Sequence, residues 1–224
     1  MTSRAFKLAV VALLLASAIP TEQPAAQQAG SLRIYLARHG QTDGNLNRRV
    51  QGWTDTPLNA TGREQAQALA RAIGGVQFDA IFSSTLSRSR ETAQTVAGSR
   101  TVITLPGLRE LNFGKYEDTA FDDPILKTRP RDGKNPEDGE SGQQFFERVR
   151  AAVGDIRAQR PSGTILVVAH AGTNQQVLRT LLDLTAQQAS SISQNNDELY
   201  MIDLDPGSKP RVWKFIADGK LNEL

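Results

Sequence analysis

The 224-residue chain contains only two histidines, His39 and His170, and the two are placed alike. His39 lies just beyond the apolar, β-prone run 32–37 and immediately before Gly40. His170 ends the continuous apolar run 164–169 and is followed by Ala171-Gly172. Such runs read as strands, the second one buried on both faces. Each imidazole is therefore expected where a strand's carboxyl end opens into a loop, at one edge of a sheet. A lone histidine is more often a structural core residue, but two in matching positions suit a catalytic pair.

The elements that must hold this pair follow from the rest of the pattern. Thr61-Gly62-Arg63-Glu64 has capping-box spacing and opens an Ala- and Gln-rich helix that runs to Gly74-Gly75. Residues 80–83 read as a strand, 86–97 as a helix, 101–105 as a short strand, and 143–159 as a long helix stopped before Pro161. A helix over 174–184 follows the second histidine, and strands over 198–204 and 211–217 close the chain. Alternation of strand and helix predicts an α/β fold, a three-layer α/β/α sandwich with a mostly parallel central sheet. In such sheets sites gather at the carboxyl ends of strands. Residues 116–142 break the order, being rich in Asp, Gly, Pro, Lys and Arg, and read as a lid or specificity loop.

The residues around the histidines form a long ordered pattern. It begins with Arg38-His39-Gly40-Gln41-Thr42, Asn45, Gln51-Gly52-Trp53 and the run from Asp55-Thr56-Pro57 to Thr61-Gly62. It continues through Ser83-Ser84, Leu86-Ser87-Arg88, Glu91-Thr92-Ala93, Leu108-Arg109-Glu110 with Phe113-Gly114, Gly139-Glu140-Ser141 and His170-Ala171-Gly172. This pattern resembles the signature of the phosphoglycerate mutase-like branch, branch 1, of the histidine phosphatase superfamily, over about residues 31 to 185. Two departures stand out: Ala171 where the family commonly has glycine, and Tyr116-Glu117-Asp118 where it often has Trp-Glu-Gly.

The resemblance implies a catalytic set of His39, Glu110 and His170, with Arg38, Arg88 and Asn45 binding phosphate. His39 would attack phosphorus through one ring nitrogen, giving a phosphohistidine. Arg38 and Arg88 would hold the phosphoryl oxygens with their guanidinium forks, and His170, when protonated, would add a donor. Glu110 would protonate the leaving alkoxide and then activate water, with Glu117 as the reserve acid. A positive pocket of this kind supplies the charge that a metal supplies elsewhere, so neither metal nor other cofactor is expected.

Composition narrows the remaining possibilities. The absence of cysteine excludes disulfides, thiolate metal sites and a cysteine nucleophile. Arg4 and Lys7 precede an apolar run to Leu15, and Ala16-Ser17-Ala18 has cleavage-site character, so residues 1–18 are expected to be a signal peptide. Residues 19–30 read as a flexible leader, and 31–224 as a single histidine phosphatase domain. Export to the periplasm or medium is expected, with no stable membrane anchor after cleavage. Loss of residues 1–18 leaves 24 basic against 24 acidic residues, so a nucleic-acid partner is not indicated. The substrate is expected to be a small-molecule phosphate ester or a phosphoprotein, and oligomeric state is open. A mutase that returns phosphate to substrate, and a phosphate-ligand-binding protein without turnover, are the alternative readings. An acid directly after the second histidine would point to the acid phosphatase and phytase branch, and Ala171 stands there instead.

Overall fold

A computed structural model describes residues 30–128, 138–215 and 221–223. The expected signal peptide, and the leader except Gly30, lie outside the described residues, as do 129–137 of the long loop and 216–217 of the last expected strand.

Seven strands form one mixed sheet: β1 (Leu32–Arg38), β2 (Ala80–Ser84), β3 (Ile103–Leu105), β4 (Gly163–Ala169), β5 (Leu199–Leu204), β6 (Arg211–Phe215) and β7 (Leu221–Glu223), in the order β3-β2-β4-β1-β5-β6-β7. The four strands β3, β2, β4 and β1 are parallel, and β5, β6 and β7 extend the sheet antiparallel. The register of β1 against β4 pairs Arg38 with Ala169. The next residue of each strand, His39 and His170, therefore leaves the sheet at the same edge, and the His39 amide donates to the Ala169 carbonyl at 3.0 Å.

Helices cover both faces, which gives the expected three layers. Leu32, Ile34, Leu36, Ile165 and Val167 pack with α4 (Gly142–Gln159) and α5 (Ala171–Leu181). Tyr35, Ala37, Leu166 and Val168 on the other face pack with Ile73, at the end of α2 (Ala60–Ala72), and with α3 (Ser87–Ala97). Alternate residues of β1 and β4 thus face opposite layers, as the two-residue repeat of a strand requires. Both strands are buried on both sides except at the exposed Arg33 of β1, which explains their apolar character.

Two helix starts differ from expectation. Helix α2 is capped by Asn59, not Thr61: the Asn59 side chain accepts from the Gly62 amide at 2.9 Å. Asn59 also bonds the Gln41 carbonyl and side chain, so contact with the His39 loop selects the cap over the local Thr-x-x-Glu pattern. Helix α5 begins at Ala171, three residues before the expected 174, with His170 as its N-cap. Gly172 and Thr173 are poor helix formers and delay a start judged by propensity. Here the Gly172 amide, free at a helix end, is taken by a carboxylate from elsewhere in the chain. Two helices of four and five residues, α1 (Asp43–Leu46) and α6 (Ala186–Ser190), were not expected. Both are too short to leave a periodic signal and rest on capping boxes, Thr42 with Asn45 and Thr185 with Gln188.

The first part of the 116–142 loop folds back onto the site. A 3-10 turn over Gly114–Tyr116 leads into it, a second spans Pro124–Thr128, and Ala120 bridges Arg49. Asp118 takes a left-handed φ of 62°, so it supplies the backbone conformation that glycine would supply, and its carboxylate pairs with Arg49 Nε at 2.6 Å.

Candidate active site

The loop after β1 presents His39 in a single chemical form. The residue is 3% exposed, and its Nδ1 lies 2.7 Å from the Gly40 carbonyl oxygen. A carbonyl only accepts, so Nδ1 carries the hydrogen, and Nε2 holds the ring's free lone pair. The loop is clamped by the start of α2, where the backbones of Gly40, Gln41 and Gly62 touch. A Cβ on Gly40 would strike the Gly62 carbonyl, and one on Gly62 the Gln41 carbonyl. Thr92 Oγ1 accepts from the Gly40 amide, and Asn196 Nδ2 donates to the His39 carbonyl at 2.7 Å.

The second imidazole adjoins the first, with ring centroids 5.1 Å apart. Arg88 Nε donates to His170 Nδ1 at 3.3 Å, so Nδ1 accepts and Nε2 carries the hydrogen, donating to Ser84 Oγ at 2.9 Å. The other Arg88 nitrogens donate to the Gly52 and Thr54 carbonyls at 2.8 and 2.9 Å. Arg88 is 1% exposed and has no carboxylate within ion-pair distance among the described residues. It is a buried cation held by neutral groups, available to an anion. Burial first, offset in part by Glu110, Asp55 and Glu117, pushes the guanidinium down to about 10, and it stays charged at neutral pH.

Both histidines are neutral in the free protein. Burial pushes each well below its ordinary 6.5, and the charges of Arg88 and Arg38 push in the same direction. His170 therefore departs from the protonated form expected for a phosphate donor: its charged state requires an anion in the pocket to offset these cations. The unfolded chain binds protons at both histidines below pH about 6.5 while the folded chain does not. Stability contributed above 6.5 is lost as pH falls, by about 1.4 kcal/mol per histidine per pH unit until the folded values are reached. Urea midpoints at pH 7.5 and 5.5 should fall accordingly, and the fall should shrink when either histidine is replaced.

Arg38 is held from the other side of β1. Its NH1 donates to the Gln194 carbonyl at 2.8 Å, while Nε is buried with no partner. Gln194 in turn bonds Asn174, Leu36 and Glu198, and Glu198 pairs with Lys214 at 2.8 Å. With Asn196, these residues of the 193–198 turn hold the end of β1. No sequence signal marked them, because polar residues between a helix and a strand look like any solvated connection.

Glu110 meets the pair from the loop after β3. Its Oε2 accepts from the Gly172 amide and its Oε1 from its neighbour Leu111, both at 2.9 Å. The carboxylate thus sits at the N-terminus of α5, one turn from His170. A Cβ on Gly172 would come within 2.5 Å of Glu110 Oε1, which is why this position suits glycine. Trp53 Nε1 and Arg148 NH2 donate to the Glu110 carbonyl, giving Trp53 a positioning place that its aromatic type alone did not signal. Glu117, the reserve acid, is engaged elsewhere. Its carboxylate accepts from the amides of Trp53, Thr54 and Phe113 and from Thr54 Oγ1, and so shapes the turn whose carbonyls hold Arg88. Asn45 caps α1 through Thr42 and also lines the cleft.

The cleft has a volume of ≈ 640 Å³ and is lined by Arg38, Asn45, Arg88, Glu110 and Gly172, with the imidazoles buried beside Arg38 and Arg88. All six residues expected at the site are therefore gathered in one place.

Residues 34–215 match the family model of the histidine phosphatase superfamily, branch 1. The chain belongs to that superfamily. It is 33% identical to the "Probable phosphoglycerate mutase GpmB" of Enterobacter sp. strain 638 over 183 residues, which cover 77% of this chain and 85% of that one. The GpmB of Proteus mirabilis is 33% identical over 184 residues with the same coverage. Among solved structures, the alpha-ribazole phosphatase of Shigella flexneri superposes with a TM-score of 0.71 at 28% identity, covering 78% of this chain and 91% of that one. Phosphoserine phosphatase of Entamoeba histolytica, in complex with 3-phosphoglyceric acid, superposes with a TM-score of 0.70 at 27% identity, covering 86% and 98%. This member of the superfamily thus resembles both phosphatases and mutase-type relatives.

Proposed function

We propose that the protein hydrolyses phosphate monoesters in two steps through a phosphohistidine on His39. The observation that carries this reading is the Nδ1 to Gly40 bond, which leaves Nε2 as a neutral nucleophile beside Arg38 and the buried Arg88. In the first step the Nε2 lone pair forms a bond to phosphorus as the ester P–O bond breaks, and Glu110 gives the departing alkoxide a proton. In the second, Glu110 takes a proton from water, which attacks the phosphohistidine and frees inorganic phosphate. Arg38 and Arg88 hold the equatorial oxygens throughout. When the phosphate dianion draws the Arg88 fork onto its oxygens, His170 Nδ1 loses the bond from Arg88 and can take a proton, so the pocket gains a donor as it fills.

The reading requires hydrolysis of an aryl phosphate that survives chelation of divalent metals. It also ties Glu110 to the leaving group. Glu110→Gln should slow phosphorylation of His39 by an alkyl phosphate, followed as single-turnover release of the alcohol, by about 10²- to 10⁴-fold and that by a nitrophenyl phosphate far less, because nitrophenolate leaves without a proton. Equal losses on both esters in that first step would remove Glu110 from the leaving-group role. The GpmB relatives favour a second reading, transfer to a substrate hydroxyl in place of water. Scrambling of label within a phosphoglycerate, faster than phosphate release, would establish it. The basic and apolar opening of the chain supports export, and the chain is expected in the periplasmic or medium fraction with residues 1–18 removed.

A further inference from the structure

The cleft is larger than a phosphate needs, and its outer part has a distinct character. One wall is apolar, formed by Val50, Leu111, Phe113, Phe121 and Phe145. The other is a single face of α5, on which Gly172, Gln175, Gln176 and Arg179 succeed one another at helical spacing. Arg179 closes this face. Its guanidinium lies over the Phe146 ring at 3.7 Å, and among the described residues its edge meets Gln176 Oε1 alone, at a distant 3.5 Å. Among the described residues no carboxylate pairs with it, whereas the neighbouring cation Arg49 is engaged by Asp118. The stacked ring fixes the plane of the fork while leaving its donors to the cleft.

We propose that this outer cleft selects phosphate monoesters whose leaving group is an extended apolar body ending in a second anion, which Arg179 holds. The inference rests on the reading of the inner pocket as the phosphoryl site. Arg179 lies nine residues beyond His170, about 13 Å along the helix, and its side chain leans back toward the helix start. The two anions of the ligand are therefore separated by on the order of 10 Å. A carboxylate one carbon from the ester carbon, as in phosphoserine, stops well short of that span. Arg179 thus separates long dianionic esters from the compact phosphorylated acids.

Non-hydrolysable phosphonates test this independently of turnover. A benzylphosphonate bearing a para carboxyalkyl arm is compared by calorimetry with its carboxamide on the same protein, so any general effect of a substitution on folding cancels in the ratio. The acid is expected to bind about tenfold tighter than the amide, a charge-assisted pair being worth that much or more. Arg179→Gln should bring the ratio near one, and Arg179→Lys should keep part of it. Short phosphono acids should show no dependence on Arg179. A ratio near one in the parent, or one unchanged in Arg179→Gln, overturns the proposal. Failure of the matching phosphate ester to turn over, with acid selectivity intact, overturns the hydrolytic reading and leaves the subsite standing.

Discussion

Replacement of His39 by alanine is expected to lower phosphate release by about 10⁴-fold or more, the scale of losing a covalent nucleophile. Nothing else in the pocket can stand in. The chain has no cysteine, and the other imidazole is in the opposite tautomer, with Nδ1 accepting from Arg88 and Nε2–H donating to Ser84. The loss should fall on kcat, because Arg38 and Arg88 still bind the phosphoryl group. The same variant should resist mild acid better than the parent, since one buried neutral imidazole no longer favours unfolding below pH 6.5. Activity of the parent should also persist below pH 6.5 on the acid side, because burial and two guanidiniums hold His39 neutral there. Steady-state rates from pH 5 to 8, with urea unfolding in parallel, check each point.

Arg88→Ala is the second large effect. Its guanidinium is the inner cation that bonds His170 directly, and removing one preorganised donor of charge typically costs about 10² to 10³ in kcat. The change also strips a donor from the Gly52 and Thr54 carbonyls. An orphaned buried group costs about 1–3 kcal/mol, so stability should fall measurably unless water enters. Removal of this charge raises both histidines toward 6.5, because a nearby cation disfavours the imidazolium. Proton resonances of the two rings, followed against pH, read this directly in a protein with no other histidine. Arg88→Lys keeps the charge but loses the fork, and should recover only part of the rate.

Much of this site is legible in the amino-acid sequence alone. The apolar run ahead of His170 is continuous and the one ahead of Arg38-His39 is broken only at Arg33, enough to mark buried strands, and the ordered motifs carry Arg88 and Glu110 to the same place. The features that escape a sequence reading depend on contacts distant along the chain. Asn59 caps α2 because Gln41 meets it there, and α5 starts at Ala171 because Glu110 receives the Gly172 amide. Glu117 has the chemistry of an acid and serves as a brace, a distinction made only by the four donors that surround it. The turn 193–198, which grips Arg38 and His39 from beyond α5, carries no motif at all. The protonation of His170 lies beyond sequence for the same reason: its neutrality follows from burial beside Arg88.

Rapid quenching of the parent during turnover of an aryl phosphate, followed by mass spectrometry under alkaline conditions that preserve phosphohistidine, tests the central claim most directly. One acid-labile phosphoryl group on His39, formed no slower than phosphate is released and absent in His39→Ala, is the predicted result. Turnover with His39 unmodified, or with the phosphoryl group on another residue, would contradict the mechanism.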